Sequence, residues 1–290
     1  MTYTTEPTAR PCIALMGEFS AGKSTLANLL IGSNPLPVRV VATQLPPVRI
    51  SYGDNEPYAI DLSGHQRAVD LHHLGAVGLD DIAYLQLFCE EELLTHCDLL
   101  DMPGISDPNM DPEVWERMID TAHGVIWCSH ATQAWRQSEA AVWAEMPPEI
   151  YPHSLLLLTR ADKLTTAEDR NRVVQRVRRE TAGLFADVLP ISLLQATSAK
   201  EDNDAWQSSG AEAFAAALIA LLAGIGAAGS APAPRLPGLE RPPSAGPSTP
   251  PPGATGAVTP RRVQARPAAS PRPPAGLPDT HGAIQAPRTD

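Results

Sequence analysis

The chain has 290 residues, 43% of them hydrophobic, and a formal net charge of −11, enough length and apolar content to bury a sizeable core in one or two domains. Composition changes near Gly226: 16 of the 30 prolines lie from there onward and no aromatic residue does, so residues 1–225 read as one folded domain and 226–290 as a disordered Pro-rich tail. Seven arginines against three acids leave the tail at +4 and the folded part at −15, which speaks against the phosphate neutralisation that drives non-specific nucleic-acid binding.

The first ten residues, MTYTTEPTAR, have no basic start followed by an apolar core, so no secretory leader is expected. Beyond them, short apolar β-rich runs alternate with helix-period segments, the mark of a parallel sheet covered on both faces. The runs are CIALM, PVRISY, CDLLDM, GVIWCS, SLLLLT and DVLPIS. Helices are predicted over about 24–31, 111–122, 138–146, 167–185 and 211–223. Segment 53–95 reads as an insertion between the second and third core strands, with one or two extra strands (YAIDL, AYLQLF) and a helix near Gln66 to Leu74. The apolar stretch AEAFAAALIALLAGIGAAG is too short and too rich in Ala and Gly for a bilayer span, so it reads as a last helix packed on the sheet.

Gly17-Glu18-Phe19-Ser20-Ala21-Gly22-Lys23-Ser24 fits G-x-x-x-x-G-K-[ST], after a strand and opening a helix, with Thr25 following. Glycines let successive backbone N–H groups turn toward phosphate oxygens at a helix N-terminus whose dipole favours anions. Lys23 would reach the β- and γ-phosphates, and the Ser24 hydroxyl would ligate Mg²⁺. A plain glycine turn accounts for Gly17 and Gly22 but not for Lys23-Ser24.

The loop alone does not separate ATP from GTP. Asp101-Met102-Pro103-Gly104 ends the run CDLLDM, where an Asp can hold Mg²⁺ through water and the Gly104 N–H can bond a γ-phosphate; a simple Pro-Gly turn is the alternative. Thr159-Arg160-Ala161-Asp162 follows SLLLL. A carboxylate there can accept both the ring N–H and the exocyclic amine of guanine, with the stem at 160 over the base, or the Asp can simply cap the next helix. In Thr197-Ser198-Ala199-Lys200, a backbone N–H near Ala199 would meet the guanine carbonyl and Lys200 would close the pocket. Thr43, in a Pro-rich connection, would ligate Mg²⁺ and hold the attacking water.

GEFSAGKST, ATQLP with Thr43, DMPG, TRAD and TSAKE together resemble the motifs of dynamin-superfamily GTPases, closest to the bacterial dynamin-like group, over roughly residues 10–225. The resemblance implies an α/β, doubly wound, mostly parallel six-stranded P-loop GTPase sheet with helices on both faces. It implies a cytoplasmic, Mg²⁺-dependent hydrolysis of GTP to GDP and phosphate that speeds up when two such domains pair across their nucleotides. Ser20 then matches a loop serine that contacts the phosphates and positions a charge-compensating cation. Thr43 matches the first switch, Asp101 and Gly104 the second, and Asp162 the base reader. Ser20, Lys23, Thr43 and Gly104 would carry catalysis. A non-hydrolysing GTP-dependent interaction module and an ATPase of the same fold are the rival readings.

Dynamin-like proteins usually carry long helical stalks, and here the residues after the G domain are Pro-rich, so a membrane fission or fusion role does not carry over. A peripheral membrane site stays open. PSTPPP and PRPP in the tail suit either a Pro-recognising partner or a passive tether. Arg170, Arg172, Arg176, Arg178 and Arg179 read as a solvated helix face, with Val173, Val177 and Leu184 inward. His72-His73 lacks partners at metal-ligand spacing. Cys12, Cys89, Cys97 and Cys128 form no Cys-x-x-Cys pair and read as buried thiols, so His123, Cys128 and His130 are not taken as a thiol site.

Overall fold

A computed structural model of the chain describes residues 10–32, 46–70, 81–105, 118–199 and 202–227. The proposed tail beyond 227, Thr43, His72-His73, Lys200 and residues 111–117 of the second predicted helix lie outside the described residues.

Nine strands form one sheet: β1 (Cys12–Gly17), β2 (Val48–Tyr52), β3 (Tyr58–Asp61), β4 (Gln66–Ala68), β5 (Ile82–Cys89), β6 (Asp98–Asp101), β7 (Gly124–His130), β8 (Ser154–Thr159) and β9 (Asp187–Pro190), in the order β4-β3-β5-β2-β6-β1-β7-β8-β9. The six predicted core runs occupy the contiguous stretch from β2 to β9. There β1 pairs in parallel with β6 and β7, β7 with β8 and β8 with β9, while β2 runs antiparallel to β6. β1 is buried at every position, which is why it reads as a continuous apolar run rather than an alternating one.

Segment 53–95 adds β3, β4 and β5 to the same sheet, with β5 parallel to β2 and β3 antiparallel to β5 and β4. The helix expected near Gln66 to Leu74 is therefore corrected at its start. Gln66, Arg67 and Ala68 pair with Ile60, Ala59 and Tyr58 as an exposed edge strand, with Arg67 bonded to Asp61 at 2.8 Å; 71–80 lie outside the described residues. An all-exposed three-residue edge carries no apolar face to read, so its sequence looks like any polar loop.

The helices are α1 (Lys23–Ile31), α2 (Leu93–His96), α3 (Gln137–Trp143), α4 (Ala167–Glu180), α5 (Leu193–Ala199), α6 (Asn203–Ser208) and α7 (Ala211–Ala227). Because side chains alternate along a strand, Ile13, Leu15, Ile126, Cys128, Leu155 and Leu157 face α1, α5 and α7. Ala14, Met16, Val125, Trp127, Leu156 and Leu158 face α3 and α4. α7 buries Ala211, Phe214, Leu218, Leu221 and Ile225, one stripe along the helix, so it packs on the sheet as expected. Among the described residues no helix is long and apolar enough to cross a membrane.

α4 stops at Glu180 rather than 185, because Thr181 turns its hydroxyl to the Val177 carbonyl and Gly183 adopts φ +81°. Its fully buried valines are Val174 and Val177, while Val173 and Leu184 are only partly buried. Arg172 pairs with Glu168, Arg176 with Glu180 and Arg178 with Asp187, as a solvated face does. Cys12, Cys97 and Cys128 are buried, and burial pushes their thiols up to about 11, 12 and 12, so they are inert core groups.

Candidate functional site

The carboxyl ends of β1, β6 and β8 open on a cavity of about 560 Å³. At its floor, β1 ends in Gly17 at φ +135°, and a Cβ there would stand 2.1 Å from the Cys128 carbonyl oxygen. Only glycine lets the loop leave the strand this close to β7. Ser20 follows at φ +57° and Gly22 at φ +100°, so alternating left-handed residues turn the loop back on itself before α1 begins at Lys23. Ala21 is buried beneath the loop and Phe19 is 54% exposed at its rim.

Lys23 is buried and donates to the carbonyls of Gly17 at 3.0 Å and Glu18 at 2.9 Å, which fixes its ammonium at the loop's centre. The Glu18 side chain accepts from Ser138 of α3 at 2.8 Å. Ser24 donates to Asp101 Oδ2 at 3.2 Å. The other carboxylate oxygen, Oδ1, is buried with no hydrogen-bond partner, and burial pushes this carboxyl up to about 6 against the pull of Lys23 and Ser24. A buried carboxylate with one unmet oxygen beside a serine hydroxyl is a hard-oxygen donor set that fits Mg²⁺. Thr25 lines the cavity at the next position. Gly104 packs so closely on the loop that a Cβ would lie 2.9 Å from Phe19 N, and Ile105 N–H donates to the Gly17 carbonyl at 3.2 Å.

The other end of the cavity is built from β8 and the segment after β9. Thr159 is buried, and its hydroxyl donates to the Ala21 carbonyl at 2.7 Å, so it braces the loop. Arg160, at φ +55°, lines the cavity and donates to the Ser20 carbonyl at 3.0 Å. Asp162 is half-buried on the wall and accepts from Ser192 at 2.8 Å, with Lys163 at 3.7 Å. Leu193 and Leu194 line the wall there, and Leu194 is 72% exposed.

One expectation is corrected here. Thr197, Ser198 and Ala199 are not a turn facing the base but the last residues of α5; the Thr197 and Ser198 hydroxyls back-bond to Leu193 and Leu194 carbonyls, and neither Ser198 nor Ala199 lines the cavity. β9 ends at Pro190, so Leu193 and Leu194 reach the cavity, and Ser192 acts on it only through its bond to Asp162. Ser192, Leu193 and Leu194 were missed; the signal was the final serine of PIS, read as strand. Ser20, Gly22, Lys23, Ser24, Asp101, Gly104, Arg160 and Asp162 line the one cavity, and Gly17 is tied to it as an acceptor for Lys23.

No protein-family model matches the chain. The dynamin-like protein 2 of Campylobacter jejuni subsp. jejuni serotype O:23/36 (strain 81-176) is 25% identical over 203 residues, covering 68% of this chain and 32% of that protein. Two solved chains of an oligomerised bacterial dynamin pair, described as a mechanism for long-range sensing and tethering of membranes, share the fold. One has a TM-score of 0.53 at 19% identity over 74% of this chain and 34% of its own, the other 0.55 at 22% over 73% and 34%. The chain thus spans about a third of the length of the relatives it matches. In sequence and in fold, what it is similar to is the dynamin-superfamily G domain of bacterial dynamin-like proteins.

Proposed function

We propose that residues 1–225 are a dynamin-type GTPase domain, with an insertion near 53–95 and a Pro-rich tail behind it, that binds guanine nucleotides and hydrolyses GTP to GDP and phosphate. The observation that carries this reading is one cavity with Lys23, Ser24 and Asp101 at one end and the Asp162–Ser192 pair at the other.

Guanine offers two adjacent donors, and the Asp162 carboxylate retains acceptor sites for both after taking the Ser192 bond. The triphosphate lies along the loop N–H groups, with Lys23 at the β- and γ-oxygens and Ser20 beside the phosphates. Ser24 and Asp101 would hold Mg²⁺, which neutralises phosphate charge when bound. Attack by water is in line, and Lys23 and the loop amides stabilise charge on the transferring group, the Gly104 N–H meeting the γ-phosphate. Thr43 is the proposed holder of that water. No side chain is assigned as a strong general base.

Pairing of two such domains across their nucleotides, a peripheral location at the cytoplasmic side of a membrane and a Pro-recognising partner for the tail extend this proposal. The membrane link rests on relatives described as tethering membranes. The test is multiple-turnover phosphate release at low and high protein concentration. Turnover per molecule that rises with concentration is the expected result, and absence of turnover at every concentration leaves only a GTP-dependent binding module.

A further inference from the structure

Asp162 also lines a second cavity, of about 190 Å³, walled by Ser192, Arg170, Gln195, Gln207 and Ser209. Its frame is rigid: Ser192 N–H donates to the Ser209 carbonyl at 2.8 Å, and Gly210 lies so near the Pro190 carbonyl that a Cβ would stand 2.3 Å from its oxygen. Asp162, Arg170, Ser192, Gln195, Gln207, Ser208 and Ser209 bring hydrogen-bonding side chains to the lining beside Ala161, Pro190 and Gly210, and the volume has room for several waters with polar partners.

Arg170 sits at the start of α4 and differs from Arg172, Arg176 and Arg178. Arg172, Arg176 and Arg178 each pair with a carboxylate, whereas Arg170 makes no ion pair among the described residues and its Nε is buried without a hydrogen-bond partner. A buried guanidinium N–H left unmet is costly, and the cavity it lines offers acceptors, the Asp162 carboxylate among its lining.

We infer that Arg170 is a positioning residue for base recognition, acting on Asp162 from behind through water held in this cavity. The inference rests on Asp162 reading guanine. Ser192 fixes one carboxylate oxygen directly, and Arg170 holds the carboxylate's rotation so that it meets both guanine donors together. Such an effect falls on the second hydrogen bond more than on the first. Hypoxanthine has the ring N–H but not the exocyclic amine, so the ratio of GDP to IDP affinity reads it, apart from phosphate binding or fold stability.

The experiment is calorimetric titration of the full chain with GDP, IDP and ADP in Mg²⁺. The unaltered chain is expected to bind GDP over IDP. Arg170→Met should lower that ratio about fivefold, the order expected for a water-mediated bond to a charged group, with IDP affinity nearly unchanged. Arg170→Lys should retain most of the ratio, and Gln195→Leu, which removes another polar group from the cavity lining, should lower it as Arg170→Met does. An unchanged GDP/IDP ratio in Arg170→Met overturns the inference; if that variant does not fold, an unchanged ratio in Gln195→Leu overturns it instead. A chain that does not prefer GDP to ADP overturns the guanine reading itself.

Discussion

Ser192 donates its hydroxyl to Asp162 Oδ1 at 2.8 Å, joining the segment after β9 to the turn after β8 across 30 residues of sequence. Ser192 is buried, so this bond is sheltered from competing water. Ser192→Ala should weaken GDP binding about tenfold, since a buried hydrogen bond to a charged group contributes roughly 1.5–3 kcal/mol. Asp162→Asn should shift preference toward xanthosine nucleotides, whose base presents an oxygen where guanine presents an amine. Competition binding with GDP and XDP measures both, and unchanged GDP affinity in Asp162→Asn would remove the base-reading assignment.

Lys23 has a double task, as a cation for phosphate and as the donor to the Gly17 and Glu18 carbonyls. Lys23→Ala should raise the Kd for GTP at least about 100-fold, from loss of a charge-assisted contact to the phosphates. It should also cost about 1–2 kcal/mol of stability, because two loop carbonyls lose a donor. Equilibrium binding of a fluorescent GTP analogue and urea unfolding separate the two losses. Sub-micromolar binding retained by the variant would count against the loop as the phosphate site.

The core was legible because its chemistry is local. β1, β7 and β8 are buried on both faces and announce themselves as apolar runs, and Gly17 to Ser24 is a contiguous pattern whose backbone needs are written in its residue types. Two features were not legible. β4 is held by its pairing with β3 and by the Arg67–Asp61 contact, neither of which leaves a periodic signal. Ser192 meets Asp162 through where β9 happens to end, and strand ends are set by tertiary packing more than by propensity. The more familiar-looking pattern is TSAK, whose Thr197, Ser198 and Ala199 lie inside α5.

Gly17 tests the close approach of the loop to β7. Gly17→Ala must fit a Cβ 2.1 Å from the Cys128 carbonyl oxygen at φ +135°, and the obstacle is backbone, which cannot rotate away as a side chain could. A loss of about 3 kcal/mol or more is expected, from left-handed strain together with overpacking. Thermal unfolding measures it. A loss below about 0.5 kcal/mol would mean that the loop does not leave the strand as described.

Asp101 sets function against stability. Its ordinary carboxyl value is 3.8, and burial raises it to about 6 in the fold, so ionising it costs more in the ligand-free fold than in the unfolded chain. For a group whose folded value is raised, the stabilising contribution is complete below the unfolded value and is lost as pH rises through the folded one. The difference of about two units corresponds to roughly 3 kcal/mol, lost between about pH 4 and 6. Asp101→Asn keeps an acceptor for Ser24 without a charge, so in EDTA and without nucleotide it should gain on the unaltered chain as pH rises, and exceed it by that order at pH 7.5. Urea midpoints of both chains at pH 4 and pH 7.5 give the difference, in which titrations at other sites largely cancel. The same variant should lose Mg²⁺-dependent enhancement of GTP binding, because the unmet Oδ1 that suits a hard cation becomes part of a neutral amide. A variant less stable than the unaltered chain at pH 7.5 would show that Asp101 is not held as a desolvated carboxylate in the ligand-free fold.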